Sequence, residues 1–211
     1  MNNFLTNQNW RYATKKFDAS KIVSNEDIDF LKESIRLSVS SYGLQPYKIL
    51  DISNKDIRAQ LKKVSWGQSQ IIDASHLFVF ANQINLCDLD VDNYISNAVT
   101  TRDLPKESLD GYASFIKLKL KEKSQIEIAV WNEKQTYIAL TNLINAAAEL
   151  KIDITPMEGF DNQRYNEILG LTKLDLNACI VAAIGYRSND DFTQNLKKVR
   201  KTNKDLFTTI L

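Results

Sequence analysis

His76 is the single histidine of the 211-residue sequence, and Cys87 and Cys179 are its two cysteines. One histidine cannot build a His-rich zinc site, and a Ser-His-Asp triad would have to use this one. It leads into the apolar run Leu77-Phe78-Val79-Phe80, so it reads as a hydrogen-bonded residue at a strand start. The cysteines are far apart and form no Cys-x-x-Cys pair, which predicts two reduced thiols rather than a disulfide framework. The glycines, Gly43, Gly67, Gly111, Gly159, Gly170 and Gly185, are scattered. A dinucleotide fingerprint needs three glycines within about six residues and a P-loop needs two within about six. Neither can be written with this set. A bound phosphate would have to be held by side chains or by a helix N-terminus, and no metal site is expected.

The charges nearly cancel: 27 Lys plus Arg against 26 Asp plus Glu give a formal charge of +1. That balance argues against a nucleic-acid partner held by bulk electrostatics, but not against a small anion, which needs only a few local cations. The tail past Asn189 is basic, with Lys197, Lys198, Arg200, Lys201 and Lys204. The longest apolar run, Ala178 to Ile184, is far short of the ~20 residues that span a bilayer, and Met1 to Gln8 lacks an apolar signal region. These features predict a cytoplasmic protein with no membrane segment. With 44% hydrophobic and 25% charged residues, the chain has ordinary globular composition. It shows no repeat or linker, so one domain over 1–211 is expected.

The elements that must position these residues follow from periodicity. Ser24-Asn25-Glu26-Asp27 resembles a capping box with Asp in the acidic position, and Ile28, Leu31, Ile35 and Ser38 follow at helical spacing, predicting a helix over about 25–38. Pro46 to Ile52 alternates as a strand. Ser53 to Asp56 opens a helix with Ile57, Leu61 and Val64 on one face. Leu77 to Ala81 is a short apolar strand. Leu89 to about Leu150 is helical, broken at Pro105 and Ser124, and its last part is apolar on more than one face, the mark of a buried spine. Ile152 to Met157 reads as a strand cut short by Pro156. Asp161 caps a short helix ending near Gly170, placed as a C′ glycine. Leu176 to Ile184, with little polar alternation, is a strand buried on both faces. Four strands among more numerous helices predict an α+β layered fold.

Four segments then stand together: Arg11 to Asp18, Ser38 to Tyr47, Trp66 to Gln70 followed by Asp73-Ala74-Ser75-His76, and Pro156 to Phe160. In this order, with Trp131 and Gln135 on the long helix and Lys198-Val199-Arg200 near the end, they resemble the nitroreductase family of FMN-dependent NAD(P)H oxidoreductases, the oxygen-insensitive nitroreductases and dihydropteridine-reductase-like proteins. The resemblance runs from Arg11 to Arg200. It implies a central, mostly antiparallel sheet flanked by helices, and an intertwined homodimer with FMN at the interface.

The same resemblance assigns residues. Arg11, Tyr12, Ala13 and Lys15 at the front, with Lys198 and Arg200 at the back, match the phosphate end. Val39, Ser40, Ser41 and Gly43 match a loop that reaches the flavin of the other subunit, as does Gln135. Gln68 and Gln70 match polar positions near the ribityl chain and ring. Pro156, Met157, Glu158 and Gly159 match the backbone edge at flavin N5 and N1/O2, where Gly159 would leave room for close approach. Tyr42 and Phe115 would face the substrate, with Tyr112 an alternative to Phe115. The implied reaction is a ping-pong hydride transfer from NAD(P)H through flavin N5 to a nitroaromatic, quinone, or pterin- or flavin-type acceptor. No side chain need act as acid or base, so the chemistry would be carried by FMN. The sequence departs from the family pattern at Tyr12, Ala13, Tyr42 and Gln70. A non-catalytic FMN-storage or redox-sensing protein is the alternative, and a purely structural domain a third.

Overall fold

A four-stranded, wholly antiparallel sheet in the order β1-β2-β4-β3 organises the computed structural model, which describes residues 3–210. The outermost residues of the expected 1–211 domain lie outside the described residues. The strands are β1 (Tyr47–Asp51), β2 (His76–Gln83), β3 (Asp153–Met157) and β4 (Leu176–Gly185). Val79 faces Val181 across the central pair, and Ile154 faces Ile184.

The two central strands are apolar on both faces because each face has its own helical cover. Phe78, Phe80, Ile180, Ala182 and Ile184 point into one core with Ile28, Leu31 and Ile35 of α2 (Asn25–Arg36). Leu140, Leu143 and Ala147 of the long α7 (Gln125–Glu149) close the same core. Leu77, Val79, Ala81, Val181 and Ala183 point the other way, against Leu61 of α3 (Lys55–Lys63) and Tyr165 of α8 (Asn162–Leu169). Each fully buried Leu, Ile or Phe contributes about 1.5–3 kcal/mol, so the period-2 alternation fixes the register: a one-residue slip would exchange the two cores. A third cluster joins α5 (Asp88–Arg102) to α6 (Asp110–Lys121) through Val91, Ile95, Ile116 and Leu120.

Local signals act largely as the sequence predicts. Ser124 caps α7 reciprocally: its Oγ accepts from Glu127 N at 3.3 Å, and Glu127 Oε2 accepts from Ser124 N at 2.8 Å. Asp161 caps α8, and Gly170 closes it in the left-handed conformation at φ 66°. His76 opens β2 with Nδ1 3.2 Å from Asp51 Oδ1. Cys87 and Cys179 are free thiols. Among the described residues no helix is long and apolar enough to cross a membrane.

Three features differ from, or are absent from, the sequence expectation. Pro156 does not cut its strand: it pairs with Ala182 inside β3. β3 is an edge strand, where a missing N–H on the outer side costs no ladder bond. Ser24 caps α2, but Asp27 does not return the full box; its carboxylate instead accepts from Ser24 Oγ at 2.7 Å, one methylene short of the usual reach. The third is α1 (Asn3–Trp10), which periodicity did not reveal. It docks on the C-terminal end of α7 through polar side chains, Asn7 to Glu149 at 2.6 Å and Gln8 to Asn145 at 2.8 Å.

Candidate functional site

Arg11 follows α1 directly and is held by its N–H to Asn7 O at 3.0 Å and its Nε to Gln8 Oε1 at 2.9 Å. The docking of α1 therefore aims this guanidinium. The basic tail returns to the same place: Lys198 Nζ donates to Gln8 O at 2.7 Å and to Arg11 O at 2.5 Å. Arg11, Tyr12, Ala13, Lys15, Lys198 and Arg200 all line one cleft of about 410 Å³.

The electrostatics of this cleft are one-sided. None of the ion pairs among the described residues includes Arg11, Lys15, Lys198 or Arg200. Burial, and then the Arg200 charge, push Arg11 below the ordinary arginine value. Burial, and then Arg11 and Arg200, do the same to Lys198. Arg11 and Lys198, depressed by burial and neighbouring positive charge and without a carboxylate partner, would both be relieved by a bound anion.

Asp191, which does not line the cleft, fixes the Tyr12–Lys16 segment behind it and was not expected from sequence. Its Oδ2 accepts from Tyr12 hydroxyl at 2.9 Å and from the N–H groups of Lys15 and Lys16 at 2.8 and 3.1 Å. Burial raises its pKa, but the bonds from Thr193, Lys15, Lys16 and Tyr12 overcome this and bring it to about 2. Tyr12 is pushed up, by burial first and then by Asp191. Because the folded carboxyl titrates below its unfolded value of about 3.9, its stabilisation is complete above about pH 4 and is lost as pH falls toward 2. In urea unfolding, the stability gap between wild type and Asp191→Asn is expected to narrow across that window. A gap that stays constant from pH 6 to pH 3 would contradict this role.

The other predicted residues form a second assembly, centred on α7. Gln135 is buried; its Oε1 accepts from Ser41 N at 2.9 Å and its Nε2 donates to Trp131 O at 2.8 Å. Its amide therefore fixes the Ser40–Gly43 loop. Ser40 Oγ accepts from Gln45 N at 2.9 Å. Tyr42 sits at φ 56° and Gly43 at φ 80°. Tyr42 meets Phe115 edge-on at 6.3 Å and Trp131 at 6.0 Å between ring centres. Val39 is exposed beside this loop, as is Tyr112 on α6. The space beside Gly43 is filled by the Tyr94 ring, 2.9 Å from where a Cβ would stand.

Pro156 and Met157 end β3, and the Glu158–Gly159 turn that leaves it is clamped from both sides. Tyr137 hydroxyl on α7 donates to Glu158 Oε1 at 2.8 Å. Gln68 Nε2 donates to Gly159 O at 2.8 Å, so this amide holds the turn. Gln70 is buried at the start of the short α4 (Gln70–Asp73). Met157 is buried in the core and Glu158 is exposed. The room left by Gly159 is taken by the Trp66 ring. The cation cleft does not include Ser40, Ser41, Gly43 or Gln135: the fold brings the predicted residues together as separate groups within one chain. Asp191 and Tyr137 carried no sequence signal, since their roles depend on partners more than a hundred and about twenty residues away, respectively.

The model of the nitroreductase family matches residues 9–186. The major NAD(P)H-flavin oxidoreductase of Aliivibrio fischeri is 33% identical over 207 residues, covering 95% of each chain. A nitroreductase-like protein of Streptococcus mutans superposes with a TM-score of 0.87 at 19% identity over 100% of both chains. A structure solved in complex with FMN, from Exiguobacterium sibiricum, superposes with a TM-score of 0.85 at 18% identity, covering 98% of this chain and 97% of its own.

Proposed function

The chain belongs to the nitroreductase family, and from that premise we propose that it is an FMN-dependent NAD(P)H oxidoreductase built as one domain. The observation that carries the reading is the cation cleft. Arg11, Lys15, Lys198 and Arg200 converge without a carboxylate, which fits the phosphate of FMN: a phosphate monoester carries about −1.5 to −2 charges near pH 7. Bound FMN would supply a ping-pong hydride relay, through its N5 atom, from NAD(P)H to a nitroaromatic, quinone, or pterin- or flavin-type acceptor.

The chain's own part is binding, orientation and electrostatic tuning. Tyr12 and Ala13 shape the wall of the phosphate cleft. Gln70 offers a polar amide toward the ribityl chain and ring, while Gln68 acts on the turn it holds. Pro156, Met157, Glu158 and Gly159 present backbone groups to the ring edge, where N–H donors favour the negative charge of the reduced state. Val39, Ser40, Ser41, Gly43 and Gln135 serve the site of a second copy. Tyr42 and Phe115 border the substrate, and no side chain has to act as general acid.

A homodimer follows from this assignment, because the two groups of residues sit apart within one chain. The exposure of Val39, Val199 and Phe207 supports a further copy covering them. Light scattering on the yellow fraction, paired with its NADPH–menadione turnover, tests both points. The expected result is a mass of two chains with turnover. A flavin-bearing monomer would overturn the shared site, and a flavin-bearing dimer without turnover would leave only a storage or sensing protein.

A further inference from the structure

Trp66 combines an exposed side chain with a tightly held backbone. It is 82% exposed, yet the edge of its ring rests on Gly159, where a Cβ would lie 2.8 Å from Cζ3 and 2.9 Å from Cε3. Its backbone is left-handed at φ 53°, followed by Gly67 at φ 71°. A bulky residue is disfavoured there, so something other than local preference selects the conformation. The anchors are tertiary. Gln68 Nε2 donates to Ser65 O at 3.1 Å and to Gly159 O at 2.8 Å, and Asp161 N donates to Val64 O at 2.9 Å. Ser65 Oγ donates to Leu61 O at 2.7 Å and lies 2.7 Å from the Tyr165 hydroxyl. The 64–68 loop and the 157–161 turn are thus one unit that presents an indole to solvent.

We propose that Trp66 is a specificity-determining residue that stacks on planar, electron-poor aromatic acceptors as they approach the Glu158–Gly159 edge. This inference rests on the flavin reading of that edge. The chemistry is complementary: the indole face is electron-rich, and stacked pairs of unlike rings are favourable. Tryptophan loses little conformational freedom on binding, because it has only two side-chain torsions. Holding the loop in advance lowers the ordering cost further. An acceptor without a flat ring gains nothing from this surface.

Two measurements test the proposal. Replacing Trp10 and Trp131 by Phe leaves Trp66 as the sole tryptophan of three. Titrating the FMN-loaded protein with menadione is expected to quench its emission saturably, and unsaturable collisional quenching would overturn the proposal. The second measurement uses Trp66→Asn, chosen because asparagine tolerates left-handed backbone. It is expected to retain FMN and to raise KM for menadione about two- to tenfold, as the loss of a stacked pair implies. Its kcat, and its KM for ferricyanide, should be unchanged, with Trp66→Phe recovering part of the loss. Equal losses with both acceptors, or conversion to a monomer, would place Trp66 in loop positioning or a chain–chain contact and overturn the proposal. A protein that takes up no FMN overturns the flavin reading itself, and with it this one; FMN bound without these changes overturns this one alone.

Discussion

Replacing both Arg11 and Arg200 by alanine is expected to release FMN from the protein. A hydrogen bond to a charged group contributes about 1.5–3 kcal/mol, so two lost together weaken binding by roughly 10²–10⁴-fold. Arg200 is exposed and solvent-screened, which places the expected effect near the lower end, about a hundredfold. The fold should survive, since neither side chain bonds to the sheet: Arg11 bonds to Gln8, and Arg200 to Val199 O. Lys198 is a poorer test, because its ammonium ties the tail to the carbonyls of Gln8 and Arg11, and its removal would also detach the tail. It does give a pH signature. Its pKa is lowered by burial and by the two arginines, so FMN affinity should fall as pH rises through a value below the ordinary lysine range. Equilibrium dialysis against FMN reads both effects. Undiminished FMN content in the double variant would show that the phosphate lies elsewhere.

Asp153→Ala has the second large effect, on stability. Asp153 is 4% exposed and accepts from Arg187 N at 2.8 Å, Nε at 2.9 Å and Nη2 at 2.6 Å. Arg187 in turn lies over the rings of Trp10 at 4.4 Å and Tyr12 at 4.6 Å. Removing the carboxylate strands a half-buried guanidinium and a backbone N–H together. Breaking one side of a buried pair costs about 3–5 kcal/mol, which for a chain of this size lowers Tm by roughly 6–20 °C. Because Arg187 packs on the two residues flanking Arg11, FMN affinity should fall as well. Calorimetry of the FMN-free protein separates the two effects. A Tm within about 2 °C of wild type would mean that solvent already satisfies Arg187.

The parts of the fold legible in the sequence are those set by neighbours along the chain. The apolar β4 run, the Asp161 and Gly170 stops of α8, and the Ser124 start of α7 are local signals, and each acts in the structure as its residue type implies. What was not legible depends on distant partners. The polar docking of Asn7 and Gln8 on Glu149 and Asn145 forms α1 without an apolar stripe. Pro156 looks like a strand terminator until the sheet order makes β3 an edge. The site divides in the same way. The cations at the two ends of the chain are named by the family resemblance, not by their own spacing, and the fold brings them to one cleft. The hydrogen bonds of Gln68 and Gln135 to protein backbone, and the rings that occupy the space beside Gly43 and Gly159, could not be read from residue types.

If this chain binds FMN and passes reducing equivalents from NAD(P)H through it, its bound flavin must be reduced by the nucleotide and reoxidised by an acceptor. Anaerobic titration of the purified protein with NAD(P)H, followed in the visible spectrum, tests that most directly. The predicted result is a yellow protein whose flavin band bleaches with one equivalent of NADH or NADPH and returns when menadione is added. A protein that stays colourless after incubation with FMN, or a bound flavin that neither nucleotide bleaches, would contradict it.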